Sequence, residues 1–196
     1  HSVTYDFATN GGTSASKTTD TVQYGGAIDF APTATKAGYT FVGWNESSSA
    51  TTALASKTMG TSDVTLYAIF SKTITVTIKD YTHQSGYVPT GFTKTIYNTA
   101  TSAEFTLPTI ASATVSGTTY TGRGYATGDV TTGNSTVAVA SGGTVAVSAN
   151  TTYSAMYEAS ITGTFYYWNG TAQASTTATA MRYMGYAGGV TESKYN

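Results

Sequence analysis

Hydrophobic and polar residues alternate along several short stretches of the chain, and each such stretch predicts a β-strand. Alternation places successive side chains on opposite faces of a sheet, so that one face can be buried while the other meets solvent. The clearest alternating stretches are residues 3–7, 65–70, 74–78 and 152–157. They predict a mainly β protein, α+β at most, that is built from hairpins and contains little helix.

A late glycine interrupts the aromatic stretch at residues 38–44, around which the chain is organised. In strict alternation Tyr39 and Phe41 would share one face, and Trp44 would lie on the other. Glycine inside a strand often marks a β-bulge, which adds one residue and reverses the faces that follow. We therefore predict a bulge at Gly43 that returns Trp44 to the face of Phe41. Both faces of this strand carry apolar residues, which predicts a central position in its sheet.

The same spacing recurs later in the chain, where Tyr120 is followed four residues on by Gly124 and then by Tyr125. A proline precedes each aromatic stretch, Pro32 in the first case and Pro108 in the second. An alternating strand follows each of them. Elements that recur in the same order indicate one supersecondary unit that is used more than once.

This recurrence divides the chain into tandem modules. Residues 1–72 are the predicted first module, and residues 73–159 are a divergent second module with longer loops. Residues 160–196 open in the same way, but they contain neither an aromatic-glycine-aromatic strand nor a closing strand. We interpret them as a partial third module.

The partial third module is predicted to form a hairpin. Residues 161–168 predict a strand, Asn169-Gly170 predicts a tight turn, and a second strand is expected within residues 172–186. A lone hairpin is marginally stable in water because it cannot bury a hydrophobic face by itself. We therefore expect this hairpin either to dock on the second module or to pair with another chain through its open edge. Only Ser160 separates it from the second module, which favours docking.

Sparse charge and the absence of cysteine exclude several classes of protein. Lys, Arg, Asp and Glu make up 10% of the residues, and the net charge is −1. Nucleic-acid binding needs a basic surface, which this composition does not provide. No apolar run is long enough to cross a bilayer, so membrane insertion is not expected. A chain without cysteine has no disulfide and no thiolate ligand for a metal.

No group of residues predicts catalysis or the binding of a cofactor. General-base or nucleophilic catalysis would need an activated histidine, a pair of carboxylates or a nucleophile. His83 is the only histidine away from the N-terminal residue, and it lies in a polar segment beside Gln84, Ser85 and Gly86. A solvated loop histidine is the simpler interpretation. Phosphate-binding glycine motifs and clusters of calcium ligands are also missing, and we expect no enzyme activity, no cofactor and no metal.

The motifs of the first module resemble those of the Listeria–Bacteroides repeat, a family related to the B repeat of internalin-type surface proteins. The motifs that carry the resemblance are Val3-Thr4-Tyr5-Asp6-Phe7, Asn10-Gly11-Gly12-Thr13, Val22-Gln23-Tyr24-Gly25, Pro32-Thr33, Lys36-Ala37-Gly38-Tyr39-Thr40-Phe41-Val42-Gly43-Trp44 and Leu66-Tyr67-Ala68-Ile69-Phe70. The resemblance implies β-grasp-like modules in tandem on large secreted or wall-anchored bacterial proteins, where they serve as stalks or adhesive segments. It also implies an extracellular or cell-surface location, with host or environmental glycans or proteins and the neighbouring repeats as partners.

Aromatic side chains are the one feature that suggests a ligand, because flat rings can stack on the C–H faces of sugars. The candidates for such stacking lie in the last part of the chain: Tyr166, Tyr167, Trp168, Tyr183 and Tyr186. Burial in a core or an interface is the favoured interpretation, since small modules need large side chains to bury enough area, and sugar stacking is the alternative. Adjacent residues of a strand face opposite sides, so Tyr166 and Tyr167 predict that one face of the hairpin exposes rings.

Two functions are consistent with these features. The leading hypothesis is a non-enzymatic repeat segment of a secreted or cell-surface bacterial protein that acts as a stalk, spacer or adhesive module. The alternative is a carbohydrate-binding accessory module of a secreted polysaccharide-degrading protein. Saturable sugar binding that is lost on Trp168→Ala would favour the second hypothesis.

Overall fold

Strands account for most of the regular structure in the computed structural model, which describes residues 1–81 and 92–192. Strand makes up 54% of the described residues and helix 1%, which confirms the predicted mainly β fold. The described residues include no helix with the length and apolar character that crossing a membrane would need.

The strands are numbered in chain order. They are β1 (Ser2–Asp6), β2 (Ser14–Ala15), β3 (Thr19–Thr21), β4 (Ala34–Thr35), β5 (Thr40–Asn45), β6 (Val64–Lys79), β7 (Thr93–Tyr97), β8 (Ala103–Thr106), β9 (Ala113–Val115), β10 (Thr118–Thr127), β11 (Val139–Ala140), β12 (Thr144–Val147), β13 (Thr151–Trp168), β14 (Gln173–Gly185) and β15 (Val190–Glu192). Two strands are long, with 16 residues in β6 and 18 in β13. Each begins as the closing strand of a predicted module and continues past the predicted end of that module.

The chain folds into two compact units. The first consists of His1–Ile74 and Lys94–Ala103, and the second of Thr75–Thr93 and Glu104–Asn196. The change from one unit to the other at Ile74 lies close to the module boundary that the sequence predicts. The later segment that joins the first unit has no counterpart in the sequence prediction, and residues 160–196 cluster with the second unit.

In the first unit, β6 lies between β1 and β5. Residues 3–6 pair in parallel with residues 64–67, and residues 40–45 pair antiparallel with residues 67–71. β3 pairs antiparallel with β1 on its other side. Large apolar side chains from these strands form the first core, which includes Val3, Tyr5, Trp44, Met59, Leu66 and Phe70.

The predicted bulge is present at Gly43. The pairing of β5 with β6 shifts by one residue between Phe41 and Gly43, and Gly43 has a φ of 142°. Trp44 is thereby returned to the face of Phe41, with a distance of 5.4 Å between the ring centroids. The Trp44 ring also meets Tyr5 edge to face at 5.1 Å, and it is completely buried.

The predicted central position of β5 was wrong. Among the described strands, β5 pairs with β6 alone, so that β6 is the central strand and β5 an edge strand. The bulge explains the error, because it places the large rings of β5 on one face. Val42, whose apolar side chain suggested a second buried face, is exposed.

The second unit repeats this arrangement. Residues 76–79 of β6 pair in parallel with residues 151–154 of β13, as β1 pairs with the start of β6. The aromatic strand β10 pairs antiparallel with β13, and its register shifts between Gly122 and Gly124, where Gly124 has a φ of 145°. A bulge is therefore also present in the second aromatic stretch, at the glycine that corresponds to Gly43.

One hydrogen bond recurs at the same place in both units. Trp44 Nε1 donates to the carbonyl oxygen of Pro32 at 2.6 Å, and the Tyr125 hydroxyl donates to the carbonyl oxygen of Pro108 at 3.0 Å. In each unit the donor is carried by the ring that follows the bulge glycine. This shared contact confirms that the two prolines and the two aromatic stretches correspond.

The last part of the chain forms the predicted hairpin. β13 and β14 pair antiparallel without interruption from Met156 and Gly185 to Trp168 and Gln173. The turn lies at residues 169–172, where the Asn169 amide donates to the Ala172 carbonyl oxygen at 3.1 Å. β15 extends the pairing on the far side of β14. The strand, the turn and the second strand are all confirmed, and we call this element the terminal hairpin.

Candidate binding site at the tip of the terminal hairpin

The structure divides the five aromatic candidates into two groups. Tyr166, Tyr167 and Trp168 lie next to the turn, whereas Tyr183 pairs with Glu158, ten residues before Trp168 on β13. At 3.3–3.4 Å per residue, this separation corresponds to about 33 Å along the strand. We call residues 165–173 the tip and residues 180–186 the base. A single small ligand cannot contact both groups.

The tip exposes aromatic rings on both of its faces. Alternation places Tyr166 and Trp168 on one face, and Phe165 and Tyr167 on the other. All four side chains are between 45% and 70% exposed. The prediction that one face exposes rings therefore understated the result, because the body of the second unit covers neither face at this distance from the base. Phe165 was missed as a candidate, although the same alternation could have identified it.

The tip contains an open depression of about 360 Å³. It is lined by Tyr166, Tyr167, Trp168 and Gln173. Gln173 pairs with Trp168 across the hairpin, and its amide offers both donors and an acceptor beside the indole. Among the described residues, no carboxylate, lysine or histidine lines this depression. The arrangement suits a neutral ligand that presents a flat apolar face together with hydroxyl or amide groups.

The turn beside this depression is fixed by hydrogen bonds within the turn itself. Asn169 Oδ1 accepts hydrogen bonds from the backbone amides of Thr171 and Ala172, both at 2.9 Å. Gly170 has a φ of 94°, in the left-handed region that glycine enters without strain. A turn that is fixed before binding costs less conformational entropy when a ligand arrives.

Tyr183, at the base, is partly buried and contacts a cation. The Arg123 guanidinium carbon lies 4.7 Å from the centroid of the Tyr183 ring. Arg123 also forms an ion pair with Glu158, with Nε 3.2 Å from Oε2, and it donates from Nη1 to the Gly133 carbonyl oxygen at 3.0 Å. One face of the Tyr183 ring is therefore occupied by the protein itself.

Tyr186, the other aromatic candidate at the base, is only 7% exposed. Its hydroxyl donates to Asp129 Oδ1 at 2.5 Å, and Lys79 Nζ lies 2.5 Å from Asp129 Oδ2. These two hydrogen bonds lower the pKa of Asp129, and the bond to Asp129 raises the pKa of Tyr186. Tyr186 thus anchors the hairpin to the second unit and offers no open ring face of the size that a sugar needs.

Two glycines allow the base to approach the rest of the second unit. A Cβ atom on Gly185 would lie 1.9 Å from the Thr131 carbonyl oxygen, and one on Gly133 would lie 2.3 Å from the Met184 amide nitrogen. Backbone contacts of this kind have no sequence signature, because glycine is equally common in turns. The expectation that the hairpin docks on the second module is met at the base, while the tip extends beyond it.

The described residues contain no cluster of three or more His, Asp or Glu side chains that could hold a metal ion. His83 and the polar residues beside it lie outside the described part of the chain. Of the five aromatic candidates, Tyr166, Tyr167 and Trp168 are the ones that the structure brings together around one depression.

Comparison with known proteins identifies the first module. The family model of the Listeria-Bacteroides repeat domain matches residues 1–69, in agreement with the motifs of the sequence. This family is typical of repeat segments in bacterial surface proteins. No curated protein and no solved structure matched the chain.

Proposed function

We propose that this chain, whose first module is a Listeria-Bacteroides repeat, is a non-enzymatic segment of a secreted or cell-surface bacterial protein that spaces and adheres. The observation that carries the adhesive role is the aromatic tip of the terminal hairpin. Monomeric proteins rarely leave several large rings exposed side by side, and such patches often mark interaction sites. Tyrosine and tryptophan are also the residues that most often dominate binding energy at interfaces.

The structure of the hairpin supports this role. The base is held by Arg123, Asp129 and the close glycine contacts, whereas the rings of Tyr166, Tyr167 and Trp168 are each more than half exposed. A contact surface placed at the end of an anchored ribbon can reach a partner without disturbing the core. The partner in this proposal is a protein or glycan on a neighbouring surface.

A second candidate function is carbohydrate binding as an accessory module of a secreted polysaccharide-degrading protein. Trp168 and Tyr166 share one face, and the Gln173 amide lies beside them. A ring face supplies the apolar surface for the C–H groups of a sugar, and an amide can bond to its hydroxyl groups. This combination favours a neutral glycan over a charged one.

The test compares three versions of the full chain: the unchanged protein, the tip variant Tyr166→Ser/Trp168→Ser, and the control Tyr24→Ser. Tyr24 lies in the first unit and is 74% exposed, so it matches the tip residues in chemistry and accessibility. Each version is applied to immobilised collagen, to mucin, to a glycan array and to insoluble cellulose, chitin and xylan. Far-ultraviolet circular dichroism checks that all three versions are folded.

The outcomes separate the two candidates. Binding to protein surfaces that the tip variant loses and the control keeps would support the adhesive role. Saturable binding to a neutral polysaccharide with the same dependence would support the carbohydrate role. Binding that survives in the tip variant would contradict both, and so would an absence of binding to all of these surfaces.

A further inference from the structure

The chain contains two Asn-Gly dipeptides, Asn10-Gly11 and Asn169-Gly170, and the structure places them in opposite environments. In an Asn-Gly pair the backbone nitrogen of glycine can attack the side-chain amide of asparagine with little hindrance, because glycine has no side chain. Asn10 is 3% exposed, whereas Asn169 lies on the surface at the turn of the terminal hairpin.

Both reacting groups of the first dipeptide are held in place. Asn10 Nδ2 donates to the carbonyl oxygens of Ala68 at 2.8 Å and Ser48 at 3.0 Å. The Gly11 amide donates to the carbonyl oxygen of Ala8 at 2.8 Å. Attack of the Gly11 nitrogen on the Asn10 side chain therefore requires local opening of the first unit.

The second dipeptide is exposed, and hydrogen bonds reach the side-chain carbonyl group that would be attacked. Asn169 Oδ1 accepts hydrogen bonds from the amides of Thr171 and Ala172, both at 2.9 Å. These donors polarise the side-chain carbonyl and stabilise the negative charge that develops on Oδ1 when Cγ is attacked. Within the described part of the chain, the Gly170 amide donates to no protein acceptor, so its proton is available to hydroxide.

We propose that Asn169 is a site of spontaneous deamidation, independent of the function proposed above. Hydroxide removes the proton of the Gly170 amide, and the nitrogen forms a bond to Asn169 Cγ while the carbonyl electron pair moves to Oδ1. The tetrahedral centre then collapses, and Nδ2 takes a proton and leaves as ammonia. The product is a succinimide ring. Water opens the ring at either carbonyl to give aspartate or isoaspartate, so that one water is consumed and one ammonia is released.

The reaction changes the chemistry of the tip. Either product adds one negative charge beside Trp168 and Gln173, in a depression whose described lining carries no charged side chain. Isoaspartate also inserts one extra carbon into the backbone of the turn. It thereby removes the side-chain acceptor that fixes the amides of Thr171 and Ala172. The tip of an aged molecule would differ from that of a newly made one in both charge and shape.

The test follows the two dipeptides within one molecule. The full chain is incubated at mildly alkaline pH, digested with trypsin and analysed by mass spectrometry. Residues 1–17 form one peptide, with Asn10 as its asparagine, and residues 124–182 form another that contains Asn169. Fragment ions assign each mass gain to a residue. A parallel incubation in concentrated denaturant gives the deamidation rate at each dipeptide in the unfolded chain.

In the folded chain, we expect Asn169 to deamidate at least about tenfold faster than Asn10, a ratio that corresponds to about 1.4 kcal/mol of local opening. In denaturant the two rates should converge. Equal rates in the folded chain, or a slower rate at Asn169, would overturn the proposal.

The variant Asn169→Gln separates this site from others on the same peptide. A glutamine would form a larger ring at a much lower rate, so the mass gain of residues 124–182 should disappear while Asn10 is unchanged. A gain that persists would assign the reaction to Asn134 or Asn150 and would contradict the proposal.

Discussion

Trp44 illustrates how a single residue connects the sequence pattern to the core of the first unit. Its ring is completely buried, contacts Tyr5 and Phe41, and donates a hydrogen bond to the Pro32 carbonyl oxygen. Alternation together with one glycine was enough to predict the face on which it lies. The bond to Pro32 could not be predicted, because it depends on the distance between two segments after folding.

Replacing this ring should strongly destabilise the first unit. We expect Trp44→Ala to lower the free energy of unfolding by about 3–5 kcal/mol, since the change removes a large buried ring and leaves a cavity. Urea denaturation followed by circular dichroism measures the effect. The control is Tyr24→Ala, which removes an exposed ring and should change the stability by about 0.5 kcal/mol or less. Equal effects of the two changes would show that the Trp44 ring is not part of the core.

Asn10 shows where prediction from residue type fails. The Asn10-Gly11 pair indicates a turn, and a turn is present there, but the asparagine is buried and holds the carbonyl oxygens of Ala68 and Ser48. Asn98 donates to the same Ser48 oxygen from a different part of the chain. The local sequence pattern does not predict contacts between segments that are so distant in sequence.

Asp129 makes the attachment of the hairpin base dependent on pH. Hydrogen bonds from Lys79 and Tyr186 hold its pKa below the ordinary value of 3.8. A carboxylate whose pKa is lowered by folding stabilises the fold above its unfolded pKa and loses this effect as the pH falls through the folded value. Tyr186 has a raised pKa, so its contribution is complete below the unfolded value of 10.0 and is lost at higher pH.

We therefore expect Asp129→Asn to destabilise the second unit at neutral pH, by an amount that shrinks as the pH falls below 3.8. Thermal unfolding of the variant and the unchanged protein across the acidic range measures the difference. Asp20→Asn is the matched control in the other unit. Asp20 forms an ion pair with Lys17 in the first unit, and its pKa is also lowered. A difference between Asp129→Asn and the unchanged protein that is constant with pH would argue against a charged contact at the base.

At the scale of elements, the sequence specified strands and turns more reliably than their neighbours in the sheet. The bulge at Gly43, the terminal hairpin and its turn were predicted from periodicity and glycine. The edge position of β5 was not, because strand order depends on long-range pairing that alternation does not encode. The same limit applied to the aromatic candidates, which the sequence treated as one group and the strand register placed at opposite ends of the hairpin.

The base of the terminal hairpin should be sensitive to one methyl group. We expect Gly185→Ala to destabilise the second unit by at least about 1–3 kcal/mol, the usual cost of overpacking, because the new Cβ would collide with the Thr131 carbonyl oxygen. Amide hydrogen exchange of residues 180–186 should rise as the base separates. Gly60→Ala is the control, since a Cβ atom on Gly60 would meet no other group within 4 Å. Unchanged protection of residues 180–186 would contradict the close packing of the base.

At the scale of the whole molecule, the two units share one plan and differ in their additions. Each has a parallel pair of strands, an antiparallel aromatic strand with a bulge, and a ring that bonds a proline carbonyl oxygen. The second unit adds the terminal hairpin. The family match covers residues 1–69, so the recognisable sequence belongs to the first unit and the candidate binding site to the second.

Removal of residues 160–196 should therefore affect the units unequally. We expect the second unit to lose about 3 kcal/mol or more, since Met184 and Tyr186 are buried and each such side chain contributes about 1.5–3 kcal/mol. The first unit should be unchanged. Amide hydrogen exchange, resolved by peptide, measures both in one experiment. Equal loss of protection in the two units would contradict this separation.

The positions of the two tryptophans have a practical optical consequence. The chain has two tryptophans. Trp44 is buried in the first core, whereas Trp168 lies on the tip and is 70% exposed. Indole fluorescence shifts to longer wavelength in water, and iodide quenches only rings that it can reach. Each half of the protein thus carries its own unlabelled reporter: the quenchable red-shifted signal responds to anything that covers the tip, and the protected blue-shifted signal responds to unfolding of the first core.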